Sequence, residues 1–170
     1  RIRVLESSAG IVPALNVGLQ NSKGKYIARQ DADDVWYQDK LKLQVERLDV
    51  GDVDILGTQM CIKENGKNDA HTSYPELHND CVLWLINGKN PIGHPTVMMK
   101  KTIFDKVGGY WEFFPFAEDL DLWTRSIPHF KFSNLNFIGI QYNFVPNPKY
   151  NPNVTKILSN YYSSLYGIKK

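Results

Sequence analysis

A short apolar run, Tyr26–Ala28, leads almost directly into Asp31-Ala32-Asp33-Asp34, three carboxylates within four residues. Like charges this close are costly unless a cation or strong hydrogen-bond donors compensate them. In open α/β sheets the carboxyl ends of strands are where ligands bind. Hard oxygen ligands of this kind suit Mg²⁺ or Mn²⁺, ions that also take ligand phosphates and water. The spacing of Asp31 and Asp33 lets one carboxylate reach a ribose while the next reaches the metal. The plainer reading is an acidic turn in which Asp34 or Asp31 caps the helix that follows.

The flanks of this segment read as α/β. Ile2–Leu5 alternates like a strand, and Ile11, Val12, Leu15 and Leu19 recur at helical spacing, with Pro13 tolerated in the first turn. Asn21, Ser22 and Gly24 stop that helix, and Tyr26–Ala28 is the next strand. Strand, helix and strand in this order predict a parallel βαβ unit. Because the chain opens on a strand, earlier strands are expected beside it, and the reading is of a partial domain.

Downstream, Leu41, Val45 and Leu48 mark a helix with Asp39 as N-cap. Val53–Met60 reads as a strand and Glu64-Asn65-Gly66-Lys67 as a hairpin turn. Residues 68–80 read as polar loop and Val82–Ile86 as a short buried helix. Pro91–Pro95 is a loop, Thr96–Met99 a strand and Ile103–Val107 a helix stopped by Gly108-Gly109. The aromatic loop Phe113–Phe116 leads into a helix marked by Leu120, Trp123 and Ile127. Phe130–Phe132 and Phe137–Tyr142 are separate strand candidates. Pro146, Pro148 and Pro152 mark an irregular segment before a last helix, Val154–Tyr166.

A second acidic group, Glu118, Asp119 and Asp121, stands at the start of the helix after the aromatic loop. Carboxylates there complement the helix dipole. The sharper reading makes one of them a general base that lifts a proton from an acceptor hydroxyl, with its neighbour holding it in place. His94, in Gly93-His94-Pro95-Thr96, is a candidate metal ligand, although a lone histidine beside proline more often packs or lines a substrate.

Composition excludes several classes. A net charge of +2 gives no field to hold nucleic acid or an anionic membrane. Cys61 and Cys81 cannot build a disulfide framework and fit a reducing compartment. No apolar run approaches the roughly 20 residues needed to cross a bilayer. The late aromatic stripe (Tyr161, Tyr162, Leu165, Tyr166) is open to three readings: packing on the domain, contact with a partner, or peripheral contact with a membrane. Packing is the commoner outcome.

Taken in order, the stretches ALNVGLQNSKGKYIARQDADD, KLKLQ, GHPTVMMKKTIFDKVGGY and AEDLDLW with Arg125 resemble the inverting glycosyltransferases of family two. That resemblance implies an α/β fold of the GT-A type, a Rossmann-like mixed sheet flanked by helices and N-terminally incomplete. Residues 1–150 would form the partial domain and 151–170 a helix packed on it. It implies transfer of a hexose, with inversion, from a nucleotide-diphosphate sugar (UDP by the family's habit) in polysaccharide biosynthesis. The acceptor would be a glycan, a lipid-linked or a protein hydroxyl, and the cofactor Mn²⁺ or Mg²⁺. The location implied is cytoplasmic, including the inner face of a membrane.

Residue by residue, Asp33 matches the family's principal metal ligand, Asp31 its ribose- or metal-contacting partner and Asp34 a supporting acid. Asp119 matches the catalytic base, with Glu118 beside it. Arg29 lines the nucleotide; His94, Pro95 and Thr96 match a loop flanking the donor or acceptor sugar. Asn16 and Gly18 fall where a helix packs on the donor-binding strand, and Trp123 and Arg125 match structural positions.

Two departures stand out. The family's opening Val-x-Asp-Asp-Gly-Ser segment does not occur here, which predicts an unpaired sheet edge and half a nucleotide pocket. Tyr142-Asn143-Phe144-Val145 stands where many members carry Arg-x-His. These departures keep open a catalytically inactive domain that binds a sugar or a partner. A metal-dependent nucleotidyltransferase is disfavoured, since no Gly-rich phosphate loop with a partnering lysine is found.

Overall fold

The structure is a computed structural model that describes residues 2–64, 69–114, 116–145, 153–165 and 167. In chain order it contains α1 (Ile11–Asn21), β1 (Tyr26–Ala28), β2 (Val35–Trp36), α2 (Lys40–Asp49) and β3 (Ile55–Lys63). These are followed by β4 (Ala70–His71), α3 (His78–Ile86), a 3₁₀ turn (His94–Thr96), β5 (Met98–Lys100), α4 (Ile103–Val107), α5 (Glu118–Ser126), β6 (Phe132–Asn143) and α6 (Val154–Leu165).

The strands form one mixed sheet in the order β1-β5-β3-β6-β2, with β4 added alongside β3. Only β3 and β6 run parallel; the other pairs are antiparallel. Side chains alternate between two cores, as the two-residue period of a strand requires. Ile27, Ile55 and Met99 face a large core shared with α1 and α3 to α6. Their neighbours Tyr26, Ala28, Leu56 and Met98 face a smaller one closed by Val45 and Leu48 of α2. The sheet is therefore sandwiched between α2 and the remaining helices.

Several local expectations change. Ile2–Leu5 is not a strand: residues 2–8 are irregular, with Ile2 95% and Val4 92% exposed. A strand needs a neighbour for its backbone groups and a surface for its apolar face, and no described residue offers either. The parallel βαβ unit is likewise absent among the described residues, where β1 pairs antiparallel with β5 alone and forms one edge of the sheet. Asp39 stands at the N-cap of α2, but with φ of 68° and no capping bond from its side chain.

Phe132 alone of the first aromatic strand candidate joins the whole of the second in one strand, β6, whose register against β3 shifts between Thr58 and Met60. The 3₁₀ turn takes up part of the strand expected from Thr96, held by the Thr96 hydroxyl donating to the Gly93 carbonyl at 2.7 Å. Helix α3 starts at His78, inside the expected loop. The Glu64–Lys67 turn falls largely, and the proline segment with Tyr166 wholly, outside the described residues. Ile103–Val107 stands as read, ended by Gly108 at φ 77°.

Candidate functional site

β1 delivers the acidic turn to the surface at its carboxyl end. Arg29 continues the pairing of β1 through its N–H to the Val97 carbonyl at 3.2 Å. The chain then turns, with Asp34 N–H on the Asp31 carbonyl at 3.3 Å. The three aspartates take three different environments. Both oxygens of Asp31 are engaged by the Arg29 guanidinium, at 2.5 and 2.8 Å. Asp33 is exposed, its carboxylate open to solvent.

Asp34 is 6% exposed. One of its oxygens accepts the Asn143 N–H at 3.1 Å, and the other is buried without a partner among the described residues. Burial pushes the Asp34 carboxyl up, against the Asn143 bond and with the help of Asp31 and Asp33. The Asn143 side chain also donates to the Asp33 carbonyl. The end of β6, the segment Tyr142-Asn143 that replaces an Arg-x-His, thus clasps the acidic turn.

The second acidic group enters from the first turn of α5. Asp119 is half-buried; Oδ1 accepts the Leu120 N–H at 2.7 Å and Oδ2 the Asn90 amide at 2.7 Å. Burial raises its proton affinity, opposed by those two donors and by the charge of Arg29. Glu118 is buried with Oε2 unpartnered among the described residues, and burial, then the Asp119 charge, raises it too. Asp121 does not face this group: it is fully buried and accepts Arg125 at 3.0 and 2.7 Å and the Tyr162 hydroxyl at 2.6 Å.

His94 is buried in the wall below Glu118. Nε2 lies 3.0 Å from the Tyr110 hydroxyl, Nδ1 lies 3.8 Å from Glu118 Oε1, and the ring stands edge-on to Trp123. Burial, reinforced by Arg29, holds the imidazole well below its usual range and therefore neutral. It is packed against aromatic side chains and presents little surface to a nucleotide.

Arg29 connects the two groups. Its charge acts on Asp34 on one side and on His94, Glu118 and Asp119 on the other. The charge of Asp31 reaches Glu118 as well. The Tyr142 hydroxyl feels Asp34, Asp31 and Asp33, while Tyr74 feels Asp119 and Tyr142. The strand-end and helix-start carboxylates, 88 residues apart between Asp31 and Asp119, share one electrostatic neighbourhood.

The residues are compatible with a metal of the Mg²⁺ or Mn²⁺ kind, which takes one or two protein carboxylates and fills its shell with phosphate and water oxygens. Asp33 is exposed for that role, while Asp31 would have to share its oxygens with Arg29. Among the described residues no three His, Cys, Asp or Glu side chains are grouped so that they could hold a metal ion by themselves.

Four contributors were not singled out from the sequence. Asn90 holds Asp119, Asn143 clasps the acidic turn, Tyr110 meets His94, and the Tyr74 hydroxyl is within reach of the Asp119 charge. The hints were that Tyr110 ends a matched stretch, that Asn90 lies just before the same stretch, and that Asn143 stands where many members of the family carry Arg-x-His. Asn16 bonds the Tyr110 backbone in both directions at 2.9 Å. Arg125 donates to the carbonyls of Val107 and Gly109, at 2.5 and 3.0 Å, and stacks on Trp111, so its role is structural as expected.

The mixed sheet with helices on both faces is the architecture of the GT-A glycosyltransferases. The model of Glycosyl transferase family 2 matches residues 1–114, and the chain belongs to that family. It is 35% identical over 133 residues to the O-antigen biosynthesis glycosyltransferase WbnJ of Escherichia coli, covering 76% of this chain and 51% of WbnJ. Its fold is similar to S. aureus TarS 1-349 in complex with UDP-GlcNAc, with a TM-score of 0.65 at 16% identity over 93% of this chain and 47% of that one. It is also similar to the mannosyltransferase PcManGT of Pyrobaculum calidifontis in complex with GDP-Man and Mn²⁺ (TM-score 0.54, 20% identity, 83% and 38% covered). The chain thus spans about half the length of WbnJ. Among the described residues no helix is long and apolar enough to cross a membrane.

Proposed function

We propose that this chain carries the donor site and the base of a metal-dependent, inverting glycosyltransferase that moves a sugar from a nucleotide-diphosphate donor, UDP in our reading, to an acceptor hydroxyl. The observation that carries this reading is the electrostatic convergence on Arg29 of Asp31 and Asp34 from the strand end with Glu118 and Asp119 from the helix start.

Asp119 takes the proton of the acceptor hydroxyl. Its burial strengthens it as a base, and the Asn90 amide aims it. The freed oxygen attacks the anomeric carbon opposite the leaving nucleoside diphosphate, so configuration inverts. Asp33, with Asp31 behind it, would hold Mn²⁺ or Mg²⁺, which when bound neutralises charge on the leaving phosphates. Arg29 orients Asp31 and tempers the field between the two carboxylate groups. Asn143 fixes the turn that presents Asp33. The complexes of TarS with UDP-GlcNAc and PcManGT with GDP-Man and Mn²⁺ support a nucleotide-sugar donor and a divalent ion. WbnJ, a protein of O-antigen biosynthesis, supports a glycan product.

The test separates the two groups in the full-length polypeptide. Asp119→Ala should cost about 10²–10⁴-fold in transfer while nucleotide binding survives. Asp33→Ala should weaken Mn²⁺-dependent nucleotide binding itself. Normal transfer by both variants would sink the assignment.

One observation favours a second reading, an inactive sugar- or partner-binding domain: Arg29 occupies both oxygens of Asp31. Donor turnover in Mn²⁺ that vanishes in EDTA would exclude it.

A further inference from the structure

Helix α3 buries Cys81 and Leu85 in the main core. Asp80, Leu83, Trp84 and Asn87 recur at i, i+3, i+4 and i+7 on another face of the same helix. A solvated helix face ordinarily carries short polar or charged groups. This one carries an indole and a leucine that is 55% exposed, and it borders an open groove of ≈ 1110 Å³. The facing wall is the segment before the helix, which contributes Tyr74 and Leu77, the latter 68% exposed. The Tyr74 ring stands 6.3 Å from Trp84 in an edge arrangement, and Lys89 Nζ lies 5.5 Å from the indole centroid.

Two of its lining residues lead towards the base: Lys89 is followed in the chain by Asn90, whose amide donates to Asp119, and the Asp119 charge reaches the Tyr74 hydroxyl. An aromatic platform ringed by a carboxylate, an amide and an ammonium matches a pyranose ring, which has an apolar C–H face and a rim of hydroxyls. Asp80 accepts from hydroxyls, Lys89 donates to them, and Asn87 can do either.

We infer that this groove is the acceptor subsite, in which the sugar ring of a saccharide acceptor stacks on Trp84 while its rim is bound by Asp80, Asn87 and Lys89. The inference rests on Asp119 serving as the base, as proposed above. It adds the substrate class and the residues that select it.

The experiment is saturation-transfer NMR on the full-length polypeptide with methyl β-galactoside, methyl β-N-acetylglucosaminide and methyl α-mannoside, without donor. At least one glycoside should receive saturation on its apolar-face protons. Trp84→Ala should weaken that binding about tenfold and Trp84→Tyr should largely retain it. Asp80→Ala, an exposed change that leaves the core intact, should weaken it several-fold. Binding of UDP with Mn²⁺, followed by calorimetry, should be the same in all three variants.

Absence of any glycoside signal on the unaltered protein overturns the inference, as does equal binding by Trp84→Ala. Loss of UDP binding in the Trp84 or Asp80 variants overturns it too, since the groove would then serve the donor. Equal binding of octyl glycerol, an alkyl chain without a ring, would make it a lipid groove and overturn it as well. Failure of the transferase reading looks different: glycosides would still stack on Trp84 while the unaltered protein took up no UDP with Mn²⁺.

Discussion

Asn90 donates its side-chain amide to Asp119 Oδ2 at 2.7 Å while its own oxygen accepts the Ile92 N–H at 3.2 Å. The second bond fixes the amide's orientation, so the first constrains where the carboxylate can point. Asn90 is a positioning residue for the proposed base, and its bond is one of the forces holding the proton affinity of Asp119 down against burial.

Asn90→Ala should therefore move the acid limb of kcat/KM to higher pH. The direction follows from the charge state. The base must be ionised to work, the amide favours the ionised form, and its loss lets burial raise Asp119 further. Activity at low pH should fall about tenfold, with recovery as pH rises. An acid limb that stays where the parent's lies would show that Asn90 does not act on the base.

Glu118→Gln should stabilise the fold at neutral pH and lower activity. Glu118 is buried with one oxygen unpartnered among the described residues, and its carboxyl sits above the ordinary 4.5. Between 4.5 and the raised value the folded chain holds more protons than the unfolded one, so stability falls as pH rises through that window. A neutral amide removes that dependence and gains roughly 1 kcal/mol at pH 7, fading towards pH 4. Urea unfolding at the two pH values checks it.

Asn143→Ala should loosen the acidic turn. The backbone bond from Asn143 to Asp34 stays, but the side-chain bond to the Asp33 carbonyl goes. About 1 kcal/mol of stability should be lost, and Mn²⁺-dependent UDP affinity should drop roughly fivefold. Calorimetry with Mn²⁺ and with EDTA reads both the affinity and its metal dependence.

The Asp121 cluster makes a prediction about stability alone. Tyr162→Phe removes one donor to a fully buried carboxylate and should cost about 1.5–3 kcal/mol. Arg125→Met strips Asp121 of its counter-charge and leaves the Val107 and Gly109 carbonyls without their donor. It should cost about 3–5 kcal/mol. Both are measured by urea unfolding, and a cost near zero for Arg125→Met would mean the cluster does not hold α5 and α6 together.

Much of this molecule was legible before any coordinates. Val12 and Leu15 mark the buried side of α1, and Ile103–Val107 with its stopping glycine is a local signal complete in itself. Asp31, Asp33 and Asp119 were singled out because dense charge next to apolar strands and helices is chemically conspicuous. Helix periodicity and charge crowding are properties of neighbouring residues, so a linear reading captures them.

What the linear reading missed depends on partners far along the chain. Ile2–Leu5 has the alternation of a strand, yet a strand exists only with a neighbour, and none of the described residues supplies one. Asn90 bonds Asp119 from 29 positions away and Asn143 reaches Asp34 across 109, separations at which sequence carries no sign of contact. The pairing of Arg29 with Asp31 was hidden for a different reason: two residues apart, they meet only because the turn after β1 folds one carboxylate back. Residue types and local periodicity determined which chemistry this chain could support. Only tertiary packing decided which aspartate is exposed, which is buried and which is paired, because burial and hydrogen-bond geometry are set by groups that meet only in the folded chain.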